Sequence, residues 1–579
     1  MTRRGGTPLI AGSLRGYRRS WLRTDLLAGL TVWAVLVPES LAYATIAGVP
    51  PVVGLYAAVP SLVLYALIGS SPHLIVASMS ATAALSAGII GDLADGGSDQ
   101  YLALTTALAL VTGLLGIVAG LARLGFLASF ISAPVLKGFI IGLALTIMVG
   151  QLPKMFGVEK GEGDFFAQLG AVLGQLGDTN VATLAVGVAS LVLVLLLRRW
   201  LPLVPGSLVA VVLAIAAVAV FGLEAHGVAI VGPIDAGLPH FGLPDTGPGD
   251  YPTLAGAACG VLLVGYAEGL GAAKTYAAKA GVDIDPNREL FGLGAANLGA
   301  GLTSGMVVNG SLSKTAVNGG AGAKSQLSGL TVAALTVLTL LFLTGLFEPL
   351  PEATLAAIVI AAVIELVDIP ALRRLHRVWT HALGGIYGWA ARADFLAALT
   401  ALLGVLIFDT VPGLVIGIVV SLTLLLYRSS RPHIARLASR SGQTGTGQDD
   451  RPRVWLDMGR HPGLSTDPSV LVLRVESGLF FANADHIHAH VLAQLTDATR
   501  AVILDTETAP FIDVTATDML VQLAGDLAHR DVTLALAHPI GQLRDVLERA
   551  ARDTPITVHP DVDSAVAAAR QHMAGTDGP

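Results

Sequence analysis

A single cysteine, Cys259, stands in a chain of 579 residues. One thiol allows no intrachain disulfide and excludes a cysteine-based zinc site. Charge is scarce as well: Asp, Glu, Lys and Arg supply 13% of the residues, against about 25% in soluble globular chains. No glycine loop of Walker or Rossmann form occurs, so ATP-driven chemistry lacks a phosphate cradle. The net charge of −7 offers no electrostatic footprint for nucleic acid. No Ser/His/Asp or metal constellation recurs in the polar C-terminal part. The expectation is therefore a protein that is not an enzyme, with no cofactor and no resident metal.

What the chain has instead is apolar length. Hydrophobic residues make up 53%, mean hydropathy is +0.69, and 67 glycines follow no fixed period. Small residues let membrane helices approach closely. A spanning helix needs about 20 mostly apolar residues. Such runs fall near 26–44, 52–69, 101–121, 128–150, 180–198, 203–221, 252–273, 288–305, 326–347, 351–368, 393–409 and 411–428. Two further segments, 76–90 and 310–324, are apolar but short and rich in Ser and Gly, and counting both gives fourteen. Residues 1–25 are polar and Arg-rich, and read as a cytoplasmic segment rather than a cleavable signal.

Loop charge supports that count. One side carries Asp92, Asp95, Asp99, Glu224, Asp235, Asp245 and Asp250, with Lys154 and Lys160 as its lysines. The other carries Arg15, Arg18, Arg19, Arg23, Arg198, Arg199, Lys279, Arg288, Arg373, Arg374, Arg377, Arg392, Arg428 and Arg431. This is the positive-inside asymmetry. It leads to the expectation of a multi-pass protein of the cell membrane with both termini cytoplasmic.

The short segments are where chemistry is expected. In hydrocarbon every backbone polar group needs an internal partner, so a polar segment that stops partway must face protein or a water-filled cavity. "VASMSATAALSAGII" is third among the first seven segments and "NGSLSKTAVNGGAGA" third among the second seven. A matched pair of broken segments points to a midplane site between inverted repeats. Each carries a Ser-x-Ser, Ser78-Met79-Ser80 and Ser311-Leu312-Ser313, and Lys314 follows the second. A half-helix start aims free N–H groups and a positive dipole end into the cavity, which favours a small anion. The competing reading of these serines is close helix packing.

Two acids lie at depth. Glu268 sits far inside "LAGAACGVLLVGYAEGLGAAKTY", where a carboxylate costs about 2.5–3.5 kcal/mol on insertion scales. A protonatable acid there can carry a coupling proton; a structural pair with Lys314 or Lys274 is the alternative. Glu39 follows the helix-breaking Pro38 in "VPESLAYA" and either lines the same cavity or marks the break. Lys137 and Glu365 read as snorkelling or loop-end charges. Gly271 and Ala272, one turn past Glu268, supply no side-chain oxygen, so no sodium cage is evident.

Residues 26–434 form the transport part on this reading. Residues 435–453, polar and rich in Gly, Ser and Thr, read as a linker. From 454 to 575 short β-type runs, "VLVLRVE", "AVILDTE" and "VTLALAH", alternate with helical segments near 484–498, 515–530, 541–552 and 561–573, giving a small α/β domain. His486, His488 and His490 lie in "HIHAH"; on a helix His488 points away from the other two, so three-ligand metal binding is not expected.

"VPESLAYATIAGVPPVVGLYAAVPSLVLYALIGSS" resembles the first two spans of the SulP sulfate-permease family, which includes the prestin-like proteins. "GSLSKTAVNGGAGAKSQLSG" is similar to its tenth-span signature, and "VLRVESGLFFANADHI" with "VILDTETAPFIDVTATDML" to its C-terminal STAS domain. The resemblance implies fourteen transmembrane helices as 7+7 inverted repeats, with a core domain moving against a gate domain like an elevator, and a homodimer. It implies secondary active transport of a small anion, sulfate first, held by Ser78, Met79, Ser80, Ser311, Leu312, Ser313 and Lys314. Glu268 matches the acidic position associated with proton or cation coupling, and Glu39, which stands where relatives often have Gln, is the second proton-coupling candidate. Lys314 stands where the signature has Arg, a point charge in place of a bidentate fork, and Leu312 where it has Phe. Bicarbonate or dicarboxylate transport, a passive anion channel, and an anion sensor relaying to a cytoplasmic protein partner through the STAS domain remain alternatives. In that domain Thr515, in Asp513-Val514-Thr515-Ala516, matches a regulatory phosphoacceptor position; a plain helix cap is the other reading.

Overall fold

The computed structural model describes residues 12–14, 16–126, 132–161, 163–201, 204–234, 236–380, 388–408, 410–439, 454–461, 463–464, 466–550 and 556–576. The chain divides into two compact units, residues 1–382 with 391–421 and residues 383–390 with 422–579, so that the C-terminal turns of the last apolar helix fall in the second.

The first unit is built of apolar helices. Its first half runs α1 (Leu22–Ile46), α2 (Val52–Ile68), strand β1 (Ile75–Ala77), α3 (Ser80–Gly91), α4 (Asp99–Leu121), α5 (Ala133–Phe156), α6 (Phe165–Gly174), α7 (Val181–Trp200) and α8 (Gly206–Phe221). The second half repeats the order: α9 (Asp250–Ala280), α10 (Pro286–Leu302), β2 (Asn309–Ser311), α11 (Leu312–Gly320), α12 (Leu327–Phe342), α13 (Glu352–Val363), α14 (Ile369–Thr380), α15 (Gly388–Phe408) and α16 (Thr410–Ser430). Fourteen of these helices fall on the fourteen expected segments. The other two, α6 and α14, have 10 and 12 residues, short of the roughly 20 that make an apolar run legible as a span. They take the same place in each half, between the fifth and sixth segments.

Local chemistry sets the helix ends. Ser98, Ser132 and Asn180 accept from the N–H groups of Tyr101, Val135 and Thr183 and so cap α4, α5 and α7. Asp285 caps α10, with Pro286 in its first turn, where a missing N–H costs nothing. Gly157 and Gly281 end α5 and α9 in the left-handed region that glycine enters without strain. Helices α4 and α10 pack backbone to backbone: a Cβ on Gly113 would run into the backbone of Leu298, and one on Gly294 into that of Ile117.

Two buried carboxylates brace the turns around the short strands. Glu289 of α10 accepts from the Tyr65 hydroxyl at 2.7 Å, from the Ser70 N–H and hydroxyl, each at 2.7 Å, and from the Ser71 N–H at 3.0 Å. Asp25 of α1 accepts from the Lys324 N–H at 2.6 Å and the Ser325 hydroxyl at 2.7 Å. Glu289 thereby fixes the turn between α2 and β1, and Asp25 the turn between α11 and α12.

The second unit is an α/β domain. Its strands are β3 (Ile434–Ser439), β4 (Trp455–Asp457), β5 (Val470–Val475), β6 (Ala501–Asp505), β7 (Thr533–Ala537) and β8 (Ile556–His559), ordered β4-β3-β5-β6-β7-β8. Strands β5 to β8 are parallel, while β3 runs antiparallel to both its neighbours. Side chains alternate across the sheet. Leu471, Leu473 and Leu504 pack with α17 (Ala484–Ala493) and α18 (Val514–Ala528), and Val470, Val472 and Ile503 with α20 (Val562–Thr576). α19 (Gly541–Ala550) contributes Leu543 to the first layer.

The expected linker begins inside this sheet. Ile434 pairs with Val475 and Arg436 with Leu473, so residues 434–439 are a domain strand and the domain starts about twenty residues before the expected 454. "IARLAS" hides its strand character because Arg436 and Ser439 interrupt a short apolar run. Residues 440–453 of the expected linker lie outside the described residues.

Glu289→Gln keeps the volume but replaces an acceptor by an amide that faces four donor contacts. The purified variant should be less stable by about 1–3 kcal/mol, read as a lower thermal unfolding midpoint in detergent. An unchanged midpoint would show that this brace contributes nothing.

Candidate anion site

Strands β1 and β2 pair antiparallel, with Ile75 opposite Ser311, Val76 opposite Gly310 and Ala77 opposite Asn309. Strand β2 runs directly into α11, and β1 reaches α3 after Ser78 and Met79. α3 has 12 residues and α11 has 9, about 18 and 14 Å at the usual rise, against roughly 30 Å of hydrocarbon. The pairing therefore brings the starts of two half-helices together from opposite directions. Their leading N–H groups differ in how they are satisfied. Ser311 caps α11 by accepting from the Lys314 N–H at 3.1 Å. Met79, the cap residue of α3, is extended and makes no side-chain cap bond.

The strand pair is held from several sides. The Ile75 N–H donates to the Thr315 hydroxyl at 3.1 Å, and the Asn318 amide donates to the His73 carbonyl at 2.9 Å. The Gln326 amide reaches the carbonyls of Ser71 and Leu74. Helix α9 lies against β2 with glycine at the contact: a Cβ on Gly310 would sit 2.7 Å from the Gly269 Cα.

The expected site residues divide into two groups. Leu312 is 55% exposed, with Ser313 beside it also exposed and Met79 half-buried, so these face open space next to the half-helix starts. Ser78, Ser80 and Ser311 are buried. The Ser78 hydroxyl donates to the Gly54 carbonyl at 3.3 Å, and the Ser311 hydroxyl is taken by its own helix and by Ser313. Packing and capping thus account for two of the serines, and Ser313 carries the outward hydroxyl.

Lys314 differs from the expectation of an open charge beside the cavity. Its side chain is fully buried, with Nζ 2.8 Å from Glu39 Oε2, 3.3 Å from the Ser78 carbonyl and 4.8 Å from the centre of the Tyr43 ring. Glu39, expected to carry a proton, is the counter-ion of this cation. Glu268 is not paired with Lys314; its Oε2 accepts from the Asn309 amide at 2.8 Å. Lys274, its other expected partner, is exposed. Asn309, Tyr43, Asp25 and Glu289 are the participants that the sequence reading missed. Only a search for polar residues flanking the two Ser-x-Ser segments would have drawn in Asn309.

In the α/β domain Thr515 is exposed, and the cap of α18 is Asp513, whose carboxylate accepts from the Ala516 N–H at 2.9 Å and the Phe481 N–H at 2.8 Å. His488 turns to Asp526 at 2.9 Å while the His486 and His490 rings lie 6.1 Å apart. Burial, reinforced by the nearby imidazoles of His486 and His433, holds His490 below the usual histidine range. Asp505, Glu507 and His538 come together at the ends of the parallel strands. Arg474 already bridges both carboxylates, at 2.6 and 3.1 Å.

The comparisons agree with this architecture. Residues 22–383 match the model of the Sulfate permease family and residues 461–565 that of the STAS domain. A probable sulfate transporter of Mycobacterium tuberculosis is 35% identical over 554 residues, covering 95% of each chain. Sulfate transporter 4.1, chloroplastic, of Arabidopsis thaliana is 31% identical over 91% of this chain and 76% of its own. The fold matches that of the murine Solute Carrier 26 family member A9 anion transporter in the inward-facing state, with a TM-score of 0.85 at 21% identity over 98% of this chain and 96% of that one. The transmembrane domain of a cyanobacterium bicarbonate transporter matches with a TM-score of 0.59 over 68% of this chain. With paired half-helices at its centre and relatives along nearly its whole length, the chain belongs to the sulfate permease family of membrane anion transporters and carries a C-terminal STAS domain.

Proposed function

We propose that this protein is a secondary active transporter of a small oxyanion, sulfate first, taken up with a proton or exchanged across the cell membrane. The observation that carries the reading is the antiparallel pairing of β1 and β2, which turns the uncapped start of α3 toward the start of α11. N–H groups and dipole ends of opposed half-helices replace the hydration of an anion and repel cations. The Ser313 hydroxyl adds a donor, and Met79 and Leu312 set the width of the opening. The names of the curated relatives favour sulfate. The assembly proposed with this function is a homodimer with both termini cytoplasmic, in which the rigid block around β1 and β2 moves as an elevator.

The two intramembrane acids then have separate tasks. Glu39 neutralises Lys314, so the positive potential that draws the anion comes from the two half-helix starts and not from a bare buried charge. Glu268 faces a neutral amide on the residue that begins β2. Protonation of Glu268 changes a contact one strand away from the anion, which gives proton uptake a route to the site.

Reconstituted in proteoliposomes, the protein should concentrate labelled sulfate, faster with an inward proton gradient. Bicarbonate and dicarboxylates belong in the same panel. Absence of flux for every anion would reject the reading, and large currents without concentrative uptake would favour a channel.

Glu268→Gln should leave uptake equal at acidic and neutral pH; persistent pH dependence would remove the proton role. Glu39→Gln strands the Lys314 cation, and breaking a buried pair costs about 3–5 kcal/mol, so its unfolding midpoint should fall. Glu39→Gln with Lys314→Met should recover that midpoint while sulfate uptake stays well below normal, because the pair no longer sets the register of α1 and α11 at the half-helix starts. Full uptake in the folded double variant would show that the pair has no part in transport.

A further inference from the structure

Helices α6 and α14 occupy the same place in the two halves, yet only one of them is basic. α6 reads FFAQLGAVLG, without Lys or Arg, and exposes Phe166 and Leu173. α14 reads IPALRRLHRVWT. On its wheel Ala371, Leu372 and Leu375 lie within about a third of a turn, while Arg373, Arg374 and Arg377 fall on the opposite side. The burial follows that division: Ala371 is buried, Leu372 and Leu375 are half-buried, and all three arginines are exposed. Twelve residues span about 18 Å, too little to cross hydrocarbon. The helix follows α13 and precedes α15, at the ends of two apolar helices.

Its ends are fixed to the protein. Asp368 caps α14 by accepting from the Ala371 N–H at 2.9 Å and is itself 3.4 Å from Lys137 of α5. Near the other end His376 lies 5.5 Å from the Phe395 ring of α15. Arg377 is already engaged within the protein. Arg373 and Arg374 are the adjacent exposed cations, with Arg374 also acting on the Asp368 carboxylate at the helix start. The equivalent place in the first half, α6, holds no cation at all.

We propose that α14 is a docking surface for anionic phospholipid headgroups of the cytoplasmic leaflet, with Arg373 and Arg374 as the phosphate ligands and Leu372 and Leu375 seated toward the acyl boundary. The leaflet follows from the loop-charge orientation adopted above. A basic amphipathic helix binds such a surface by apolar burial together with attraction to anionic lipid. Because α14 links α13 to α15, a bound lipid would hold these two segments against each other. This docking is independent of which anion is carried, and its readout below does not use transport.

The test is thermal unfolding of the full chain in a neutral detergent, titrated with phosphatidylglycerol, phosphatidylcholine or inorganic phosphate. Phosphatidylglycerol should raise the midpoint at low mole fraction and phosphatidylcholine should not, while any shift from inorganic phosphate should be the same with and without Arg373 and Arg374. Each arginine is worth about fivefold in apparent affinity, so Arg373→Gln with Arg374→Gln should need about 25-fold more phosphatidylglycerol for the same shift. Arg373→Lys with Arg374→Lys should retain most of the response, and the charge-matched control Arg530→Gln with Arg544→Gln all of it. The proposal is overturned if the glutamine pair responds like the unaltered protein. It is equally overturned if inorganic phosphate reproduces the shift and the glutamine pair abolishes that phosphate effect, or if the control pair loses the lipid response to the same extent.

Discussion

Six residues of extended chain, three in each half, decide the centre of this molecule. The pairing of Ile75–Ala77 with Asn309–Ser311 satisfies backbone groups that would otherwise be stranded at mid-membrane, where each unsatisfied group costs several kcal/mol. Because the strands are antiparallel, the helices that follow them leave in opposite directions and their starts stay together. The surrounding contacts serve this geometry. Thr315, Asn318 and Gln326 tie the two segments to each other, and Gly269 with Gly310 lets α9 lie directly on the strand. The carboxylates of Glu289 and Asp25 fix turns on either side.

A buried lysine beside such a site needs a counter-charge. Glu39 supplies it from α1, and the Tyr43 ring face adds a second favourable contact. A buried ion pair adds little net stability but is costly to break, which makes it better suited to holding three segments in register than to strengthening the fold. Here it joins α1, the chain before α3, and α11. The departure from Arg to Lys then has a physical reading. A compact ammonium fits among one carboxylate oxygen, one carbonyl and one ring face, where a guanidinium fork would demand more partners.

The apolar helices and the two interrupted segments were legible because each rests on local composition: about 20 apolar residues, or a shorter run with Ser and Gly. The α/β domain was legible from alternating β-type and helical runs, although β3 escaped because Arg436 and Ser439 make a buried strand look like a polar linker. Partner choice was not legible. Lys314 and Ser78 are 236 positions apart, and nothing in either segment says that the ammonium turns inward to Glu39 instead of outward to the cavity. Glu289 is one acid near the start of an apolar run, and nothing local announces its four donor contacts. Helices α6 and α14 lay below the length at which periodicity identifies a membrane element. Pattern gives the repeat; side-chain pairing across the repeat needs coordinates.

Locating the bound anion tests the central claim most directly. A cryo-EM map of the protein with sulfate, compared with one from sulfate-free buffer, should show added density between the start of α3 at Ser80 and the start of α11 at Leu312 and Ser313, within hydrogen-bonding reach of backbone N–H groups. Density elsewhere in the transport unit, with the two half-helix starts empty, would contradict the account.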